Sequence, residues 1–106
     1  MRTRVVLIKV VGVTFEGRQA LIAQLNIGDP ARIVPEPDNP HDPNALAVHV
    51  AHGGAVHHVG YVKREVAAEI APHFDGESMD GKVYDVTGGG SYNYGLIVRV
   101  EIPDEA

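Results

Sequence analysis

The residue types best suited to chemistry lie together in one proline-rich segment, residues 36–45, which reads EPDNPHDPNA. Four prolines between positions 35 and 43 fix backbone torsions, so this segment is predicted to be a stiff, irregular loop. The loop would hold four polar side chains in set positions: Asn39, His41, Asp42 and Asn44. Pre-organised polar groups are typical of a binding site, although Asp42 and Asn44 could equally cap turns by accepting nearby backbone N–H groups.

A second group of residues combines an aromatic ring with two cations, Tyr61, Lys63 and Arg64. The cations stand at the predicted start of a helix, where they oppose the helix dipole, and this placement favours an anionic partner. The alternative is that both are ordinary solvated residues. Phe15 ends an apolar run, so it could stack on a ligand or pack in the core.

The six histidines raise the question of a metal site, but no spacing typical of metal ligands occurs. The adjacent His57 and His58 should point to opposite faces of a strand. We therefore expect no metal, no cofactor and no catalytic residue. A metal-dependent hydrolase remains the weakest alternative, with an imagined ligand set of Asp38, His41, Asp42 and His49.

The elements that must position these residues are mostly strands. Alternation of apolar residues and β-branched density predict strands over residues 5–15, 31–35, 46–51, 56–62, 81–87 and 92–102. Residues 31–35 are assigned to an edge strand because Pro35 lacks an N–H donor. The spacing of Val66, Ile70 and Phe74 predicts a helix over 64–74, ended or kinked by Pro72, and residues 18–25 suit either a helical turn or a short strand.

Length and composition define the class of protein. The 106 residues with 44% hydrophobic content suit a single domain spanning residues 1–106. There is no cysteine and no apolar run long enough to cross a membrane, so we expect a cytoplasmic protein without a membrane partner. The net charge of −5 excludes a broad basic face that coats duplex DNA, but it permits a small, locally positive pocket. About six short strands with one helix after the fourth predict a mainly β (α+β) fold, a small, partly open β-barrel.

Four segments together resemble the HIRAN domain family over about residues 5–102. They are the VGVTF segment of residues 11–15, the GRQ segment of 17–19, the loop of 36–45 and the VGYVKRE segment of 59–65. The resemblance implies an OB-like barrel that captures the 3′-hydroxyl end of single-stranded DNA, in a stand-alone, bacterial member connected with DNA repair. Such a module would work beside a separate helicase or nuclease.

The resemblance also implies roles for individual residues. Phe15 and His41 would flank the terminal base, Asp42 would accept a hydrogen bond from the 3′-hydroxyl, and Asn39 with the loop backbone would hold the sugar. Tyr61, Lys63 and Arg64 would meet the adjacent phosphates. The complete predicted nucleic-acid-binding set is Phe15, Arg18, Asn39, His41, Asp42, Asn44, Tyr61, Lys63 and Arg64. A protein-interaction module is the alternative function, because the acidic composition and small size suit it as well.

Overall fold

The computed structural model of the chain describes residues 2–103 and contains six strands with three short helical segments. The strands are β1 (Thr3–Val11), β2 (Pro30–Pro35), β3 (Leu46–His52), β4 (Ala55–Val62), β5 (Met79–Gly89) and β6 (Tyr92–Pro103). The helical segments are α1 (Arg18–Ile22), α2 (Arg64–Ile70) and a 3₁₀ turn over Ala71–Phe74. The single-domain prediction also covers Met1 and residues 104–106, which lie outside the described residues.

The six strands pair in the order β1-β4-β3-β2-β5-β6, and every pairing is antiparallel. The predicted mainly β barrel of six strands with a helix after the fourth is therefore confirmed. Within the described residues the barrel is closed, where the sequence predicted a partly open one, because β1 joins β4 as well as β6. A closed barrel leaves no long unpaired strand edge. None of the helices in residues 2–103 has the length and apolar character needed to cross a membrane.

The core fills the inside of the barrel with alternate residues of each strand. Val48 and Val50 of β3 and Val98 and Val100 of β6 are buried, as the alternation predicts. Burying each of these side chains contributes roughly 1.5–3 kcal/mol, so the alternate valines fix which side of each strand faces inward. In α2 and the 3₁₀ turn, Ile70 and Phe74 are buried in the same core.

One predicted boundary is wrong, the predicted effect of Pro72 on the helix is confirmed, and one open assignment is decided. Strand β1 ends at Val11 and not at Phe15, because Gly12 adopts φ 75° and turns the chain. The helix predicted over 64–74 is α-helical only to Ile70 and then tightens into the 3₁₀ turn, since Pro72 cannot continue an α-helix. Residues 18–25, left open between helix and strand, form the five-residue α1.

Strand β2 is not an edge strand, contrary to the prediction from Pro35. It pairs with β3 on one side and with β5 on the other. The pairing with β5 stops at Ile33, so Pro35, the last residue of the strand, lies beyond the paired part on that side. A proline there removes no hydrogen bond from the β2–β5 ladder.

The closure of the barrel depends on a close approach at Gly60. Strands β1 and β4 share only two register pairs, Val10 with Val62 and Val11 with Tyr61. A Cβ on Gly60 would collide with the Val11 carbonyl oxygen and would lie 2.6 Å from Cγ1 of Val10. Only glycine lets these two strands meet, and the meeting places Tyr61 beside Val11.

We predict that Gly60→Ala lowers the free energy of unfolding by about 3 kcal/mol, because the added methyl group must push β1 and β4 apart. Chemical denaturation monitored by circular dichroism measures this change. Gly76→Ala is the matched control: Gly76 has φ 77° but open space around it, so that variant should lose only about 1 kcal/mol. Equal losses in the two variants would contradict the close approach.

Candidate functional site

One cleft of about 330 Å³ brings together five of the nine predicted site residues. It lies where the proline-rich loop meets β1, the end of β4 and the start of α2. The five are Asn39, His41, Asp42, Tyr61 and Arg64, and the rest of the lining is Val11, Ala45 and Val62. The cleft therefore has a polar wall from the loop, an apolar floor and an exposed cation at its edge.

The loop wall is held by hydrogen bonds within the loop itself. Oδ1 of Asn39 accepts the backbone N–H groups of His41 at 2.9 Å and Asp42 at 3.2 Å. Oδ1 of Asp42 accepts the N–H of Asn44 at 2.9 Å. Turn capping by Asp42, the alternative raised from sequence, is thus present. It uses only one carboxylate oxygen, so capping and binding do not exclude each other.

The carboxylate of Glu36 ties this loop to the barrel. Its Oε1 accepts one hydrogen bond from Nδ2 of Asn39 at 3.0 Å and a second from the hydroxyl of Tyr61 at 3.1 Å. The sequence alone indicates no separate role for Glu36. Its position at the start of the motif was the only signal, since the partner Tyr61 lies 25 residues away.

Tyr61 stays a hydrogen-bond donor over a wide pH range. Burial raises the pKa of its hydroxyl above the ordinary value of 10.0, and the hydrogen bond to Glu36 raises it further. A phenol with a raised pKa keeps its proton at neutral pH, so the contact with Glu36 persists there.

Asp42 and Arg64 present opposite charges to the cleft without a close contact between them. Oδ2 of Asp42 lies 3.9 Å from Nε of Arg64, too far for a direct hydrogen bond. The Asp42 side chain is 15% exposed, while that of Arg64 is 75% exposed. A small ligand in the cleft would therefore meet one largely buried carboxylate oxygen and one exposed guanidinium group.

Arg18 supports the neighbouring turn and does not line the cleft. Its side chain is only 9% exposed. It donates to the carbonyl oxygen of Gly12 at 2.7 Å and to the carboxylate of Glu16 at 3.2 Å. These bonds brace the turn that carries Phe15, whose side chain projects from the surface with 64% exposure. The ring is thus free to contact a ligand, but it lies outside the cleft lining.

His58 connects that turn to the cleft. Its Nδ1 lies 3.4 Å from Nη2 of Arg18, and its Nε2 lies 2.9 Å from the carbonyl oxygen of Gly60. Because a guanidinium group only donates, Nδ1 must accept and Nε2 must carry the hydrogen. The ring also packs edge-on against Tyr61 at 4.9 Å and stacks on His49 at 5.1 Å. Burial lowers the pKa of His49, and nearby His58 lowers it further, so His49 favours its neutral form.

The two remaining predicted residues are placed differently from each other. Lys63 is exposed and lies between Val62 and Arg64, which both line the cleft. Asn44 does not line this cleft and borders a separate one with Pro72 and Gly76. Within residues 2–103, no three histidine or carboxylate side chains converge to hold a metal ion, so the imagined hydrolase ligands are not assembled.

Comparisons with known proteins agree on the type of domain. The sequence profile of the HIRAN domain matches residues 4–99. The crystal structure of the HIRAN domain of human HLTF is similar in fold, with a TM-score of 0.65 at 23% sequence identity. The similarity covers 92% of this chain and 74% of that chain, and it confirms the predicted HIRAN-type, OB-like barrel. No curated protein matches the sequence.

We predict that Glu36→Gln moves the pKa of Tyr61 back toward 10.0 without reaching it. The variant removes the charge that contributes to the raised pKa but leaves burial, its largest cause. Absorbance titration of tyrosinate measures the change, with Tyr61→Phe identifying the signal of this residue. Because the folded-state pKa lies above the unfolded value, the stabilisation is complete below pH 10 and is lost as pH rises through the folded pKa.

The matched control is Glu69→Gln, an equal charge change at an exposed position on α2. It should leave the titration of Tyr61 unchanged. A Tyr61 titration curve that is the same in Glu36→Gln as in the unmodified protein would contradict the Glu36–Tyr61 contact.

Proposed function

The chain belongs to the HIRAN domain family, and we propose that it is a DNA-binding module that captures the 3′-hydroxyl end of a single strand and catalyses no reaction itself. The observation that carries the proposal is the free carboxylate oxygen of Asp42, fixed by the loop inside a small cleft and set beside an exposed guanidinium group. A strand end combines the two chemical features that this pair would recognise, a hydroxyl donor and a phosphate anion.

Asp42 supplies the selectivity for the end. Its Oδ1 is occupied by the N–H of Asn44, which leaves Oδ2 to accept a hydrogen bond from a 3′-hydroxyl. A hydrogen bond to a charged acceptor contributes about 1.5–3 kcal/mol. A 3′-phosphate in the same place would bring a second negative charge against the carboxylate, so the site would reject it.

The other residues in and beside the cleft would contact either the terminal base or the phosphates. The exposed rings of His41 and Phe15 offer stacking surfaces, and stacking contributes about 1–3 kcal/mol per base without regard to sequence. Arg64 and Lys63 lie at the cleft edge, where they would meet the phosphate next to the end. Few phosphate contacts of this kind suit a protein whose net charge is −5.

Three predicted contact residues serve better as supports for the site. Both polar atoms of the Asn39 side chain are already bonded within the loop, to Glu36 on one side and to the His41 and Asp42 N–H groups on the other. Arg18 is bonded within the Phe15 turn. Asn44 contributes its backbone N–H to Asp42 and does not line this cleft. In cells, a module that only binds the ends of DNA strands would deliver those ends to a separate helicase or nuclease.

We predict that Asp42→Asn abolishes the preference for a 3′-hydroxyl while the fold survives. The amide oxygen can still accept the N–H of Asn44, but the charged acceptor is gone. Fluorescence anisotropy with short strands ending in 3′-hydroxyl or 3′-phosphate should show a preference of about tenfold or more in the unmodified protein and nearly none in the variant.

Asp38→Asn is the matched control, because Asp38 is exposed on the same loop and the charge change is identical. It should retain the preference. The proposal fails if the unmodified protein binds both ends equally or binds neither.

A further inference from the structure

Cations gather on one outer face of this acidic barrel. Four of the nine lysine and arginine residues lie there, and we name them together the cationic face: Lys63, Lys9, Arg99 and Lys82. Lys63 follows β4 directly, and the other three come from β1, β6 and β5. Of these four residues the sequence connects only Lys63 with ligand binding, because the others stand far apart along the chain.

Strand register brings these residues together. Leu7 of β1 pairs with Arg99 of β6, and Arg99 pairs in turn with Lys82 of β5. Lys9 lies two residues beyond Leu7 on the same side of β1. Their inward neighbours Ile8, Val98 and Val83 are buried, so the charged side chains point outward.

The cationic face runs directly into the cleft. Val10 pairs with Val62 in antiparallel fashion, so Lys9, directly before Val10, and Lys63, directly after Val62, both lie at the same end of the β1–β4 contact. The next pair, Val11 with Tyr61, lines the cleft itself. No strand separates the cleft from the cationic face.

Most of the positive charge on this face is available to a ligand. Within residues 2–103, neither Lys9 nor Lys82 takes part in an ion pair. Arg99 contacts Glu101 at 3.1 Å, and both side chains remain about half exposed. The other described carboxylates on this part of the sheet are Asp85, across from Ile97, and Asp80, two residues before Lys82, which is paired with Arg32 of β2. The four cations thus lie among three carboxylates, of which Asp80 is already paired with Arg32 outside the cationic face, in a protein whose total charge is −5.

One aromatic and one aliphatic side chain are exposed beside the cations. Tyr84 is 48% exposed at the irregularity between Val83 and Asp85, and Leu7 is 50% exposed beside Arg99. A positively charged surface with an exposed aromatic ring is the combination that binds unpaired bases and their backbone together.

We propose that the cationic face binds the phosphates and bases on the 5′ side of the captured end, so that the strand leaves the cleft across β1, β6 and β5. The inference rests on the proposed function and extends it, because it assigns a path to the strand beyond its last nucleotide. Charge complementarity favours a polyphosphate chain, and Tyr84 with Leu7 favours a single strand whose bases are exposed.

The test compares a thymidine dinucleotide with an octanucleotide, both ending in 3′-hydroxyl, on the unmodified protein and on the double variant Lys9→Gln, Lys82→Gln. The unmodified protein should bind the octanucleotide about tenfold more tightly, and the double variant should lose that gain while binding the dinucleotide unchanged. The slope of log affinity against log salt for the octanucleotide should flatten by about 1.4, the value for two phosphate contacts on a single strand.

The double variant Arg2→Gln, Arg4→Gln is the control with the same charge change. Both residues are exposed, Arg2 just before β1 and Arg4 near its start, five positions before Lys9. This control should keep the octanucleotide affinity. An equal loss in both double variants would overturn the proposal, because it would show an effect of net charge alone.

Further outcomes separate this proposal from the one it rests on. If the protein prefers a 3′-hydroxyl end but binds the dinucleotide and the octanucleotide with equal affinity, only the proposal for the cationic face is overturned. Length-dependent binding that is lost in the lysine variant but ignores the 3′ group supports the face and overturns end capture. Binding of polyglutamate as tightly as the octanucleotide overturns the assignment to nucleic acid, and no binding of either strand overturns both proposals.

Discussion

The site depends on the carboxylate of Glu36, which accepts hydrogen bonds from Asn39 in the loop and from Tyr61 in β4. Asn39 in turn accepts the N–H groups of His41 and Asp42, so one carboxylate fixes the loop residues relative to the barrel wall. Without it, the proline-rich loop would keep its internal turns but lose its attachment to Tyr61. The prolines make the loop rigid. The two hydrogen bonds of Glu36 fix the position of this loop relative to Tyr61, and with it the width of the cleft.

The opposite side of the cleft depends on how the barrel closes. Gly60 lets β1 approach β4, and this places Val11 against Tyr61. His58 then spans from Tyr61 to Arg18, and Arg18 braces the turn that presents Phe15. The turn that carries Phe15 is therefore joined to the cleft through the contact between the His58 imidazole and the Arg18 guanidinium. Asp42, His41 and Phe15 are available to a ligand, while Glu36, Asn39 and Arg18 hold the loop and the turn that carry them.

The sequence predicted those features of the fold and site that depend on local residue patterns. Alternating valines located β3 and β6, the prolines located the loop, and the VGYVKRE segment located the cation at the cleft edge. It could not show that Glu36 meets Tyr61 or that Arg18 turns inward, since both depend on contacts between distant segments. The end of β1 was misplaced because Val13 and Phe15 continue an apolar pattern past Gly12, where the backbone turns. The sequence could not show the cationic face either, because strand register, and not spacing along the chain, brings its residues together.

A strand end that binds as proposed enters the cleft between the loop and β4. Titration of ¹⁵N-labelled protein with a short 3′-hydroxyl strand, followed by two-dimensional NMR, shows whether it does. We expect the amide signals of His41, Asp42, Tyr61 and Lys63 to move first, and the same strand with a 3′-phosphate to leave them nearly unchanged. Shifts confined to another surface, such as the groove formed by Ala31, Val34 and Val56, with the cleft signals unmoved, would rule out binding of the strand end in the cleft.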